Sequence, residues 1–250
     1  AHELKNPLNF VNNFAELSTG LVGELREKVG TALGQTDVRE DTSIEPIIEE
    51  LTQNVRRINE HGRRADGIIK SMLDHSRGQP GDRVPTDLNG LLRQYVNLAY
   101  HGMRARHTGF NAAFESDYDD AVGMVSVVPQ ELSRVFVNLL NNALDALQGH
   151  KANHPDFDPI VSISTRRAGD LVEIRIQDNG PGIPEEIRYR IFEPFFTTKP
   201  MGSGTGLGLS LAYEIVTTGH GGTLTLESDT DSGATFVITL PAPRPSRARS

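Results

Sequence analysis

No cysteine occurs among the 250 residues. This excludes disulfides, thiolate-held metal sites and cysteine nucleophiles. There is no surplus of positive charge either. The formal net charge of −8 argues against a protein that grips nucleic acid through phosphate contacts. No apolar run approaches the ~18–20 residues that a membrane-spanning helix needs, and no signal-peptide pattern opens the chain. Apolar residues are scarce, at 37%, against the ~45–50% (glycine included) usual for globular chains. Part of the chain is therefore expected to be long exposed helix rather than compact core. The first residue is Ala1, not Met, and a helical pattern is already running there. The chain reads as a fragment of something longer.

What is present begins with two helical stripes. Leu4, Leu8, Val11, Leu17, Leu21, Leu25 and Val29 recur at steps of three or four, or their sums, with Phe14 between. The spacing predicts a helix over residues 2–32, ended by Gly30 and Gly34. Pro7 should bend it near its start. Thr42 and Glu45 form a capping box around Pro46. A second stripe then runs from Ile44 through Ile48, Leu51, Val55, Ile58, Ile68 and Met72. Helices of ~30 residues span ~45 Å each, and one hairpin of two such helices leaves apolar surface uncovered. A second copy would cover it by completing a four-helix bundle, so a homodimer is expected. Gly78-Gln79-Pro80-Gly81-Asp82 is a linker signal. Residues 1–80 and 83–242 are therefore read as two domains, with 243–250 a disordered tail.

In the second domain, a short strand is expected over 83–87 and a helix from Leu88 to Arg106. Strands are expected over 108–115 and 121–127, with their turn at residues 116–120. Pro129 opens a strongly apolar helix to about Leu147, and His150–Pro159 reads as a polar loop. Strands 161–165 and 172–176 alternate apolar and polar residues. A helix follows from Gly206 to about Thr218, and a hairpin (223–227, 234–240) closes the chain. The fold class is α+β: a helical hairpin, then a two-layer α/β sandwich of helices on a mostly antiparallel sheet.

Four stretches carry chemistry. Asn138 and Asn142 share one face of an apolar helix. They are either structural amides or oxygen ligands for Mg²⁺ and phosphate. Asp178-Asn179-Gly180-Pro181-Gly182 follows an apolar strand. Asp178 is either a turn residue or an acceptor for the amine of adenine, with Gly180 and Gly182 letting backbone approach the base. Ile191-Phe192-Glu193-Pro194-Phe195-Phe196 is an aromatic cluster. Gly204-Thr205-Gly206-Leu207-Gly208 opens a helix and offers backbone N–H groups to phosphates. It lacks the Gly-Lys-Ser/Thr ending of a P-loop and lies outside any βαβ unit, so the common mononucleotide and dinucleotide readings lose ground.

Together these stretches resemble the asparagine, first glycine, phenylalanine and second glycine boxes of sensor histidine kinases, in that family's order and spacing. His2-Glu3-Leu4-Lys5-Asn6-Pro7 is similar to its phosphoacceptor box. A zincin reading fails because position 6 is Asn. The resemblance implies a Bergerat-type ATP-binding domain, the fold shared with type II topoisomerases, the chaperone Hsp90 and MutL. It implies ATP and Mg²⁺ as cofactors, with Asn142 on the ion, Asn138 on phosphate and Asp178 on adenine. Gly204, Gly206 and Gly208 would shape the triphosphate site, with Thr205 and Leu207 beside it. It implies His2 as phosphoacceptor and Glu3 as holder of the ring's other nitrogen. Asn6 is implied to place a water for dephosphorylating the partner. Arg190 is implied to meet the transferring phosphate, against the bland alternative of a surface ion pair, and Lys199 to sit in a mobile lid with the same alternative. Asp145 stands where some relatives carry a basic phosphate contact, which puts that contact in doubt.

The activity implied is autophosphorylation of His2 from ATP, then transfer to an aspartate of a response-regulator receiver domain, with phosphatase activity as a second role. A cytoplasmic location follows, either alone or as part of a larger sensor. Because the chain starts at the phosphoacceptor turn, weaker dimerisation and slower autophosphorylation than in a longer parent are expected. Two rivals stay open: a dimeric phosphotransfer scaffold with an inactive ATP site, and an ATPase of the same fold outside any phosphorelay.

Overall fold

The computed structural model describes residues 2–33, 48–59, 62, 65, 81–106, 109–199, 205–228 and 233–243. It divides into two compact units, one of residues 1–77 with 197–205, the other of 78–196 with 206–250.

In the first unit, α1 runs from His2 to Leu33, one residue past the length its stripe predicts. A second helix, α2, covers 48–59. The capping box at Thr42 and Glu45 and the helical stretch beyond 65 lie outside the described residues. The two helices meet where Asn59 Nδ2 donates to the carbonyl of Asn12 at 3.3 Å. Gly62 lies against the same residue: a Cβ there would fall 1.9 Å from Asn12 Oδ1. Ala15 and Ile48 are buried, but Val11, Phe14, Leu17, Leu21 and Leu25 are 42–65% exposed. Within one chain the apolar stripe of α1 is largely uncovered.

The second unit is built on a five-stranded sheet in the order β2-β4-β5-β7-β6. Its strands are β2 (Ala113–Tyr118), β4 (Ile160–Ala168), β5 (Leu171–Asp178), β6 (Thr223–Ser228) and β7 (Ala234–Pro241). β2 pairs with β4 in parallel, and the other pairs are antiparallel. A separate two-stranded sheet joins β1 (Val84–Asp87) to β3 (Met124–Val127). Alternation decides the layers. Val172, Ile174 and Ile176 of β5 and Phe236, Ile238 and Leu240 of β7 point into one core with α3 (Leu88–Arg106) and α4 (Pro129–Asn153). The opposite face is polar, with Arg175 paired to Glu227 and Glu173. The α+β two-layer architecture agrees with the sequence reading.

Three local expectations are corrected. Residues 116–118 are strand rather than turn, and β2 and β3 lie in different sheets instead of forming a hairpin. Asp119 makes the break: its side chain accepts from Ala121 N and caps the 3₁₀ turn Asp120–Val122. Next, α4 continues to Asn153 through the predicted loop. His150 stacks on His154 at 4.1 Å and meets Phe157 edge-on, and Lys151 Nζ reaches the carbonyl of Phe157. These contacts cover the last helical turn. Finally, the helix predicted from Gly206 begins at Gly208 as α5 (Gly208–Glu214) and ends in a π turn, Ile215–Gly219. The tip of the last hairpin (229–232) and the tail 244–250 lie outside the described residues.

Candidate functional site

The site follows α4. The apolar face of this helix, Leu132, Val135, Phe136, Leu139, Leu140 and Leu147, is fully buried. The helix is thereby fixed, and Asn138 and Asn142 are left half-buried at its margin. Asn138 Nδ2 donates to the carbonyl of Gly208 at 3.1 Å, which seats the first residue of α5 on α4. This is the structural use of an amide that the sequence left open, and it places the amide oxygen at the same junction, 3.4 Å from where a Cβ on Gly208 would stand.

Toward the other end of α4, Asp178 closes β5 with its side chain on the core face, only 3% exposed. Its Oδ1 accepts from Gly180 N at 2.9 Å. Burial holds the carboxyl above its ordinary value, outweighing the N–H groups of Gly180 and Ala234 that pull it down. Gly180 is glycine for space: a Cβ would stand 2.8 Å from Asp178 Oδ1 and 3.6 Å from Leu147 of α4. Gly182 follows with φ +73°. The turn is anchored by Asn179, whose Oδ1 accepts from Ile160 N and whose Nδ2 donates to Asp158 O, both at 2.8 Å. The sequence reading did not single out Asn179. An Asx side chain in an Asp-Asn-Gly turn is the signal that marks it.

The aromatic segment holds a backbone exception. Phe195 has φ +68°, the only non-glycine residue in that region among the described residues. Its N–H donates to Gly206 O at 2.8 Å. Gly206 itself has φ +68°, and a Cβ there would stand 2.4 Å from the carbonyl carbon of Phe195. The two left-handed residues thus clasp each other within the second unit. Arg190 lies over the Phe196 ring at 4.6 Å and pairs with Glu193 at 3.5 Å. The surface ion pair named as its bland reading is therefore present.

In the second unit the structure brings Asn138, Asn142, Asp178, Gly180, Gly182, Gly206, Leu207 and Gly208 around α4 and the ends of β5 and α5. Lys199 and Thr205 fall with the first unit, and Lys199 N donates to Thr197 Oγ1 at 3.2 Å. Gly204 lies outside the described residues. His2, Glu3 and Asn6 occupy the first turns of α1. Asp145 is half-buried on α4. No group of three or more His, Cys, Asp or Glu side chains among the described residues could hold a metal ion. A buried carboxylate at one end of α4 and an amide-tied helix N-terminus nearer the other suit a ligand with an amine-bearing planar base and an anionic tail.

The model of the histidine kinase-, DNA gyrase B- and HSP90-like ATPase family matches residues 127–244. The chain is 30% identical over 213 residues to the sensory histidine kinase/phosphatase NtrB of Rhizobium meliloti, covering 82% of this chain and 48% of NtrB. The chain therefore carries a domain of this ATPase family, and the relatives it resembles are sensor histidine kinases. The solved catalytic domain of the histidine kinase ThkA is 29% identical, with a TM-score of 0.54, over 65% of this chain and 97% of that domain. ThkA in complex with the response regulator protein TrrA shares the fold over 96% of this chain and 59% of that one, at 23% identity and TM-score 0.57. The chain spans about half the length of the curated histidine kinases it matches. No described helix is long and apolar enough to cross a membrane.

Proposed function

We propose that this chain is the ATP-dependent catalytic core of a protein-histidine kinase that phosphorylates His2 and passes the phosphoryl group to an aspartate of a response-regulator receiver domain. The observation that carries the nucleotide half of this reading is the buried Asp178 carboxylate beside Gly180. The N–H groups of Gly180 and Ala234 use only part of the carboxylate's accepting capacity, and the exocyclic amine of adenine supplies a further donor. Gly180 and Gly182 lie beside the base. Asn138, Gly206, Leu207 and Gly208 shape the phosphate end, joined by Gly204 and Thr205 of the glycine run. Asn142 would hold Mg²⁺ through its amide oxygen, an oxygen donor of the kind that ion takes.

When bound, Mg·ATP supplies the phosphoryl group and the ion offsets its charge. The residues of this chain do the rest. His2 presents a neutral imidazole nitrogen as nucleophile. Glu3, adjacent on α1, holds the other ring nitrogen and takes its proton. Arg190 would meet the transferring phosphate, and Lys199 would sit in the lid over the nucleotide. Asn6, one turn beyond His2, positions water for dephosphorylating the partner, as suits a relative named kinase/phosphatase.

Two partners belong to this reading. A second copy covers the α1 stripe, including Phe14, Leu17 and Leu21, each 63–65% exposed. A receiver domain would dock on the bundle near His2; ThkA, which shares the fold, is solved in complex with a response regulator. The domains would be residues 1–80 for dimerisation and phosphotransfer and 83–242 for catalysis. The test is incubation with γ-labelled ATP and mapping of acid-labile phosphate. Label on His2 that is lost in His2→Gln and Asn142→Ala supports the proposal. ATP hydrolysis without protein-bound label would make the chain an ATPase outside a phosphorelay. Absence of nucleotide binding would leave a phosphotransfer scaffold.

A further inference from the structure

Among the described residues, two polar ties between α4 and the α5 segment stand out, and one of them involves a residue not yet given a role. The first is Asn138 to Gly208. The second is His220, 2% exposed and just past the π turn. Its Nε2 accepts from the N–H of Val128 at 3.1 Å, the residue immediately before α4. Its Nδ1 lies 2.9 Å from the carbonyl of Ile215, where α5 gives way to the π turn.

The chemistry of the two neighbours fixes the ring. A backbone N–H can only donate and a carbonyl can only accept. Both bonds exist together only in the neutral imidazole with its proton on Nδ1. Glu131 Oε2 stands 3.8 Å from that nitrogen, on the same polarity. Arg83 braces the turn from outside, donating to Gly219 O at 2.7 Å. The π geometry serves the same contact: a widened turn carries the chain from Ile215 round to His220, and such bulges gather at functional positions.

We infer that His220 is a positioning residue of the nucleotide site: as the Nδ1-protonated tautomer it ties the start of α4 to the end of α5, and so sets the register between Asn138 and Asn142 on one helix and Gly208 at the head of the other. The inference rests on the nucleotide reading above. It gives His220 no contact with ligand; it acts through the placement of α5. Removing the ring leaves a buried N–H and a buried carbonyl without partners, a loss that α5 can relieve by shifting along α4.

The test compares ADP binding by the wild type, His220→Ala and His220→Gln, alongside ring ¹⁵N NMR of the wild type. Alanine weakens ADP about tenfold, the scale of one lost buried hydrogen bond, and raises KM for ATP while kcat at saturation stays within twofold. Glutamine, whose amide both accepts and donates, recovers most of that affinity. The spectrum shows Nδ1 protonated and Nε2 bare. A wild type that binds no ADP overturns the nucleotide reading and this inference with it. ADP bound equally by all three proteins, a drop in thermal stability without a change in affinity, or a proton on Nε2 overturns this inference alone.

Discussion

At the scale of single residues, Asp178 is where stability and function pull apart. Its carboxyl is raised above the ordinary value of 3.8, first by burial. The folded state therefore holds the proton more tightly than the unfolded chain does. The cost of the buried charge is fully present above the folded-state value and disappears below 3.8. The contribution of Asp178 to the stability of the unliganded protein should rise as pH falls through that window, while on the proposed reading nucleotide affinity falls, because the protonated acid loses the charge that would draw the amine. Asp178→Asn should reproduce the acid state at neutral pH. Gly180 N–H still finds an oxygen, no charge is buried, and an NH₂ now faces the adenine amine. The expected result is a melting temperature equal to or above wild type and ADP binding weaker by about a hundredfold, read by calorimetry. A variant that melts lower yet still binds would contradict this. The partner residue His2 behaves differently: His2→Gln should leave ADP affinity unchanged and abolish acid-labile label.

At the scale of elements, the pair Phe195 and Gly206 is the point of strain. Left-handed backbone costs a non-glycine residue about 1–2 kcal/mol, and Phe195 bears it with φ +68°. Phe195→Gly should then be more stable than Phe195→Ala by about 1 kcal/mol in urea unfolding. That is the reverse of the order found within helices and strands. Gly206→Ala should destabilise by about 1–3 kcal/mol, since its Cβ runs into backbone and its own φ is unfavourable. It should also weaken ADP, because Gly206 leads directly into α5. Equal stability of the two Phe195 variants would mean that the clasp stores no strain. The extended C-terminal turn of α4 belongs to this scale as well. The Asp and Pro content of 150–159 signalled a loop, but His150, His154 and Phe157, at steps of four and three, pack together over the last turn and the helix runs on to Asn153.

For the whole molecule, the decisive feature is the uncovered apolar stripe of α1. Phe14, Leu17 and Leu21 are 63–65% exposed, an apolar surface of the kind that partners cover. If a second copy covers it, as proposed, replacing Leu17 and Leu21 together by Asp should convert the dimer into a monomer in sedimentation, with little change in ADP binding by the second unit. Loss of phosphoryl transfer would follow if one protomer serves its twin. A wild type that sediments as a monomer at high concentration would remove the dimer from the proposal.

The sequence by itself determined most of the elements and the family resemblance, because both rest on local periodicity and on short runs of fixed spacing: the α1 stripe, helix Leu88–Arg106, the alternating strands and the four boxes around Asn142, Asp178, Phe192 and Gly206. Tertiary structure decided what depends on residues distant in the chain. It assigned β2 to β4 rather than to β3, and it directed the amide of Asn138 to Gly208. It also buried His220 between Val128 and Ile215. No spacing rule could supply these, since a hydrogen bond across 70 or 92 residues leaves no periodic trace. Such a bond forms because groups packed away from water must find their partners within the fold.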